Sequence, residues 1–140
     1  MTTGTMTGDV TLDGVKKSFS ANSVRRDTNY DYDTESMAFR FFGTQETSTE
    51  SICVQVALGD QNTQGGKFIL GDMKVVSVLL SSPGGSGALG GKAPIRLTSG
   101  TVEVKRNDAS NNIQGKIVAS GIDDKKSYSV DLTFNLTGTN

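Results

Sequence analysis

Thr101-Val102-Glu103-Val104-Lys105, Ile113-Gln114-Gly115-Lys116-Ile117 and Tyr128-Ser129-Val130-Asp131-Leu132-Thr133-Phe134-Asn135-Leu136 fill most of the last third of the chain, and each alternates apolar with polar side chains. A period of two buries one face of an extended segment and wets the other. Asn107 to Asn112 and Gly121 to Asp124, rich in Asn, Asp and Gly, separate the three runs and read as turns. The stretch therefore predicts an antiparallel meander, and with it an all-β protein.

Working towards the N-terminus, alternating segments recur at Asp9–Leu12, Val15–Val24, Met37–Phe42, Ser51–Leu58, Lys67–Leu70 and Met73–Leu80. Asp13-Gly14, Asp27 to Glu35, Gly43 to Glu50, Gly59 to Gly66, Gly71-Asp72 and Ser81 to Pro94 separate them with hairpin and loop chemistry. Apolar residues never recur at helical spacing over three turns, so little helix is expected. About eight to ten short strands predict a β-sandwich, immunoglobulin-like or jelly-roll, formed as a single domain over residues 1–140, with 81–94 as a Gly-rich flexible loop. A chain of 140 residues can bury roughly 70% of its unfolded surface without disulfide or structural metal.

One parity per strand supplies the expected core: Phe19, Val24, Phe39, Phe41, Ile52, Val54, Val56, Leu58, Phe68, Leu70, Val76, Val78, Leu80, Val102, Val104, Ile113, Ile117, Val130, Leu132, Phe134 and Leu136. Phe42, Ile69, Val75 and Leu79 fall on the other parity and mark an edge, a bulge or a second buried face.

Composition narrows the chemistry. Fourteen basic and 15 acidic residues leave a net charge of −1, which lacks the basic field that nucleic-acid binding requires, so no nucleic-acid partner is expected. Histidine is absent, removing the commonest general base and transition-metal ligand. A single Cys53 cannot close an internal disulfide, and no apolar run reaches the ~20 residues of a membrane span. Met1 to Gly8 has neither a charged n-region nor an apolar h-region, so it reads as a cytosolic start or as a mature start carrying an added Met. Asn135-Leu136-Thr137 matches a glycosylation sequon that nothing else in the chain supports.

Three motifs have to be weighed. Gly85-Ser86-Gly87-Ala88-Leu89-Gly90 spells a dinucleotide fingerprint, but Pro94 and the strand-like Ile95-Arg96-Leu97 follow where the motif needs a helix N-terminus, so nucleotide binding is not expected. Asp27-Thr28-Asn29-Tyr30-Asp31-Tyr32-Asp33-Thr34-Glu35 offers oxygens at every second position, as a calcium loop does, through Asp27, Asn29, Asp31 and Asp33. Tyr32 and Ala38 stand where the helix-loop-helix calcium motif needs Gly and Glu, and the plainer reading is an acidic loop with Asx turns. Tyr30 and Tyr32 add aromatic faces, so calcium-assisted carbohydrate binding is the second reading of this segment. Cys53 reads as a small half-buried residue, because a nucleophilic thiol needs a neighbouring base or cation. The short charged clusters Lys16-Lys17, Arg25-Arg26 and Asp123 to Lys126, at strand ends, read as turn tips and edge-strand protection.

Gly14-Val15-Lys16-Lys17-Ser18-Phe19-Ser20-Ala21, together with Ser99 to Val104, Asn112 to Ile117 and Tyr128 to Phe134, resembles small bacterial envelope β-sandwich proteins, often lipoproteins of unassigned function. The resemblance covers about half the chain, without a lipobox cysteine and without any pattern from Asp27 to Pro94. It implies an immunoglobulin-like sandwich outside the cytoplasm, in the cell envelope or extracellular, and brings no catalytic residues.

The leading expectation is thus a non-catalytic binding or structural module that meets a protein partner or another copy of itself. Calcium-assisted carbohydrate binding is the alternative. A hydrolase using two of the 15 carboxylates is the third reading, and no pair is singled out.

Overall fold

A computed structural model describes residues 1–33, 36–60, 63–72, 75–82 and 93–139, with the side chains of 28–38 outside the description. Eleven strands and no helix lie among the described residues: β1 Thr3–Leu12, β2 Val15–Ser20, β3 Ser23–Asp33, β4 Ser36–Glu46, β5 Ser51–Leu58, β6 Gly65–Ile69, β7 Val76–Ser81, β8 Ile95–Leu97, β9 Ser99–Asn107, β10 Asn112–Asp123 and β11 Lys126–Thr137. They form two antiparallel sheets, β2-β1-β11-β10-β9-β6 and β3-β4-β5-β7-β8. The protein is an all-β sandwich, as the period-two pattern predicts.

The closing meander is in register from Asn107↔Asn112 to Asp123↔Lys126, and β1 inserts between β11 and β2 with Thr3 opposite Thr137. Asp13 and Gly14, with φ of 53° and 77°, make the two-residue turn between β1 and β2. Positive φ at both central residues matches the right-handed twist of the flanking strands. The chain changes sheet at Ala21-Asn22, where the Ala21 amide donates to Met6 O and the Asn22 amide to Thr44 O, and again at Thr98, whose amide donates to Ser120 O.

Six expectations need correction, the first being the turn expected at Gly121 to Asp124, which narrows to Asp124-Lys125 because β10 pairs with β11 as far as Asp123↔Lys126. The first strand, expected over Asp9–Leu12, begins at Thr3, where its ladder to β11 fixes a segment that has few apolar side chains. Val15–Val24 is two strands in different sheets, broken at Ala21-Asn22. Asp27 to Asp33 is strand rather than loop: Thr and Tyr favour extended backbone, and pairing with β4 outweighs the turn tendency of Asp and Asn. β4 likewise continues past Phe42 to Glu46, so that only Thr47 to Glu50 turns. The total exceeds the expected eight to ten because Val15–Val24 divides between β2 and β3 and because the strand-like Ile95-Arg96-Leu97 pairs with β7 as the three-residue β8. Of the expected loop 81–94, residues 83–92 lie outside the described residues, while Ser81 closes β7.

The core joins both inner faces. All the expected positions are buried except Val24 and Phe68, which pack half-buried against the cluster, and Met6, Val10, Leu12, Ile95, Leu97, Ala119 and Tyr128 add to it. Phe41 bridges the sheets, its ring centroid 4.6 Å from Phe134 and 5.9 Å from Phe39. Of the four off-parity residues, Phe42 and Leu79 are half-buried, whereas Ile69 and Val75 are exposed.

Candidate functional site

β3 and β4 carry the densest polar structure among the described residues. In this pair Arg25 lies opposite Phe42, Arg26 opposite Phe41 and Asp27 opposite Arg40. Alternation therefore sends Arg25, Asp27, Arg40 and Phe42 to the outer face of the five-stranded sheet and Arg26 inward, beside Phe39 and Phe41. After Asp27 the register shifts, since Tyr30 pairs with Ala38, so β3 holds one residue more than β4 over that interval.

Asp27 is buried and accepts from both neighbours: Arg25 Nε reaches Oδ1 at 3.0 Å and Arg40 Nε reaches Oδ2 at 2.8 Å. The two guanidinia also stand over the Phe42 ring, 5.9 and 5.5 Å from its centroid. Burial alone raises the pKa of Asp27, but the hydrogen bonds from Arg25 and Arg40, then their charges, outweigh it and hold the carboxyl below its ordinary value.

On the inner side Arg26 is 1% exposed. Its Nη1 donates to Asn111 O at 2.9 Å and Asn111 Oδ1 at 3.1 Å, while Nε has no hydrogen-bond partner among the described residues. Arg26 and Arg106 share the Phe39 ring, at 5.0 and 5.3 Å from its centroid, and Arg106 is held by Asp108 at 2.7 Å. Desolvation and then the charge of Arg106 lower the pKa of Arg26, and Asp108 opposes them; the guanidinium remains a cation.

Asp27, the first of the four expected calcium ligands, thus has both oxygens engaged by guanidinia. The backbone of Asn29, Tyr30, Asp31, Tyr32 and Asp33 runs in β3, but their side chains lie outside the described residues. Among the described residues no three His, Cys, Asp or Glu side chains converge as metal ligands. Cys53 is buried on β5, where burial pushes its thiol pKa up, against smaller opposing effects of hydrogen bonds with Thr44 and Ser81 and of the charge on Arg40.

The sequence reading missed the arginine system. Arg25-Arg26 does lie on an edge strand, β3, but adjacent side chains in a strand face opposite sides, so Arg26 is buried and only Arg25 can act as edge protection. The available signal was Arg40, two residues before Phe42 and on the same parity.

Fold and site together define an antiparallel β-sandwich in which the buried Asp27 is locked between two guanidinia. No family model, curated protein or solved structure matches the chain.

Proposed function

We propose that this protein is a non-catalytic β-sandwich module that works by binding through its outer faces and loops, as part of a cell-envelope or surface assembly with a protein partner or further copies of itself. The observation that carries this reading is the direction in which its buried reactive groups are displaced. A general base at neutral pH needs a carboxyl raised towards 7, and a nucleophile needs a thiol lowered towards it. Asp27 moves down and Cys53 moves up. Asp27 is moreover saturated by two guanidinia, an arrangement that stiffens a sheet rather than moving protons. The envelope setting rests on the sequence resemblance alone, since a chain with a single cysteine suits a reducing or an oxidising compartment.

The reading is tested by assaying purified protein on chromogenic glycosides and esters, with Asp27→Asn and Cys53→Ala variants alongside, and by melting it in EDTA and in millimolar calcium. No turnover above the uncatalysed rate and superimposable melts are expected. Turnover lost in either variant overturns the reading in favour of an enzyme. A rise of several degrees in calcium, as for a ligand at a hundred times its dissociation constant (~2.7 kcal/mol), replaces it with the calcium-assisted one through Asp27, Asn29, Asp31 and Asp33.

A further inference from the structure

The outer face of the six-stranded sheet is cut by a shallow trough of about 570 Å³ across β6, β9, β10 and β11. That volume falls within the usual range of small-molecule sites. Its walls are two cross-strand rows of outward side chains. Lys67 pairs with Glu103, and Glu103 with Lys116, which faces Thr133; Gly65 pairs with Lys105, and Lys105 with Gln114. Rows two residues apart leave a channel ~6.7 Å wide, and three strand spacings make it ~14 Å long.

The floor is unusual for a sheet surface. One inward row, Gly66, Val104, Gly115 and Phe134, forms it and shows the trough its main chain, the Val104 and Phe134 side chains being buried in the core. A Cβ at Gly115 would stand 1.8 Å from Glu103 O and 3.1 Å from the Phe134 ring, so the close approach there depends on glycine.

This geometry selects a ligand class. The trough runs across β9, β10 and β11, each paired on both sides, and meets the edge strand β6 crosswise, so an occupant lying along it is held by side chains and not by strand addition. Lys67, Glu103, Lys105, Gln114 and Thr133 alternate donors with acceptors over a short distance, which suits a chain of hydroxyl groups. Glu103 is matched by Lys67 at 3.7 Å, both more than half exposed, and Lys116 by Asp131 at 4.0 Å, whereas Lys105 has no carboxylate within ion-pair distance among the described residues. The trough is therefore left with one positive charge to be complemented.

We propose that the trough binds a carboxylated saccharide lying across the strands, with a carboxylate against Lys105 Nζ and hydroxyls against Gln114, Thr133 and Glu103. The assignment deepens the binding-module reading and rests on it.

The test titrates the full chain by calorimetry with tetragalacturonate, with neutral maltotetraose and with tetraglutamate, measuring released reducing ends in the same samples. Saturable binding of tetragalacturonate is expected, at least tenfold tighter than either control. Lys105→Met should weaken it at least tenfold and Gln114→Ala should weaken it measurably, with thermal melts of both variants unchanged because the two side chains are exposed. Absence of saturable tetragalacturonate binding at millimolar concentration overturns the site. So does equal binding of tetraglutamate, which would mark a general anion surface, or binding indifferent to Lys105→Met. New reducing ends would instead defeat the non-catalytic reading, so the two failures are distinguishable.

Discussion

Asp27 and Arg26 are neighbours in sequence, yet burial asks opposite things of them. Asp27 has a lowered pKa in the fold, so its contribution is present in full above the unfolded value near 3.9 and is lost as pH falls through the folded one. Asp27→Asn should cost about 1–3 kcal/mol at pH 7, less for the Arg25 arm, whose side chain is 50% exposed, than for the Arg40 arm at 25%. Urea unfolding at pH 7 and at pH 3 checks it, the difference from wild type shrinking at the lower pH. Arg26 is a buried cation whose Nε is unpartnered among the described residues, a costly arrangement. Its acceptor Asn111 O also receives the Gly138 amide at 2.9 Å, so removing the guanidinium does not strand that oxygen. Arg26→Met, similar in length and uncharged, should therefore lie within about 1 kcal/mol of wild type or above it. Arg26→Ala, which empties the space beside Phe39, should lose about 2–5 kcal/mol. Equal losses in the two variants would mean that the charge itself is needed.

Hairpins show where local sequence and tertiary demand agree and where they part. β1 and β2 are joined by Asp13-Gly14, an expected turn pair. β10 and β11 are joined by Asp124-Lys125, whose φ values of 50° and 64° put two residues with Cβ atoms in the left-handed region. Lys125→Gly should relieve that strain and raise stability by about 0.5–1 kcal/mol, or ~2–4 °C in Tm, readable in a thermal melt. A fall would show that the Lys side chain, rather than the backbone, sets this turn. The strands that were legible, β5, β7, β9 and β11, keep apolar residues at consecutive inward positions, and β10 keeps Ile113 and Ile117 on either side of Gly115. β1 and β3 were partly illegible for different reasons. β1 puts Gly4 and Gly8 at inward positions where β11 leaves no space for a Cβ, erasing the apolar signal. β3 puts Arg26 at an inward position, and a buried arginine is indistinguishable from a surface one in sequence. The candidate site was legible only as an acidic segment. Its guanidinium partners, one of them 13 positions away on β4, become neighbours only once the register of β3 against β4 is set.

At the scale of the whole molecule, the distance between the sheets is set where the chain crosses from one to the other. Gly43 lies on the inner face of β4, in line with Phe39 and Phe41, and is buried beneath Met6 of the opposite sheet and Ala21 of the crossover. A Cβ added there would stand 2.8 Å from Met6 Sδ and 2.9 Å from Ala21 Cβ. The thioether can swing aside, but Ala21 is anchored by its amide on Met6 O at 3.0 Å and has no rotamer to change. Gly43→Ala should thus force the crossover away from β4 and cost about 1–3 kcal/mol, as overpacking of a close-packed interior does. If the contact with Ala21 is the cause, Ala21→Gly in the same chain should return most of that loss, although alone it destabilises by removing a methyl and loosening the backbone. Denaturant midpoints of the two single variants and the double variant give the coupling directly. A coupling of about 1 kcal/mol or more places the limit on sheet approach at this crossover, while additive losses would place it at Met6, where Met6→Leu should then be the variant that interacts with Gly43→Ala.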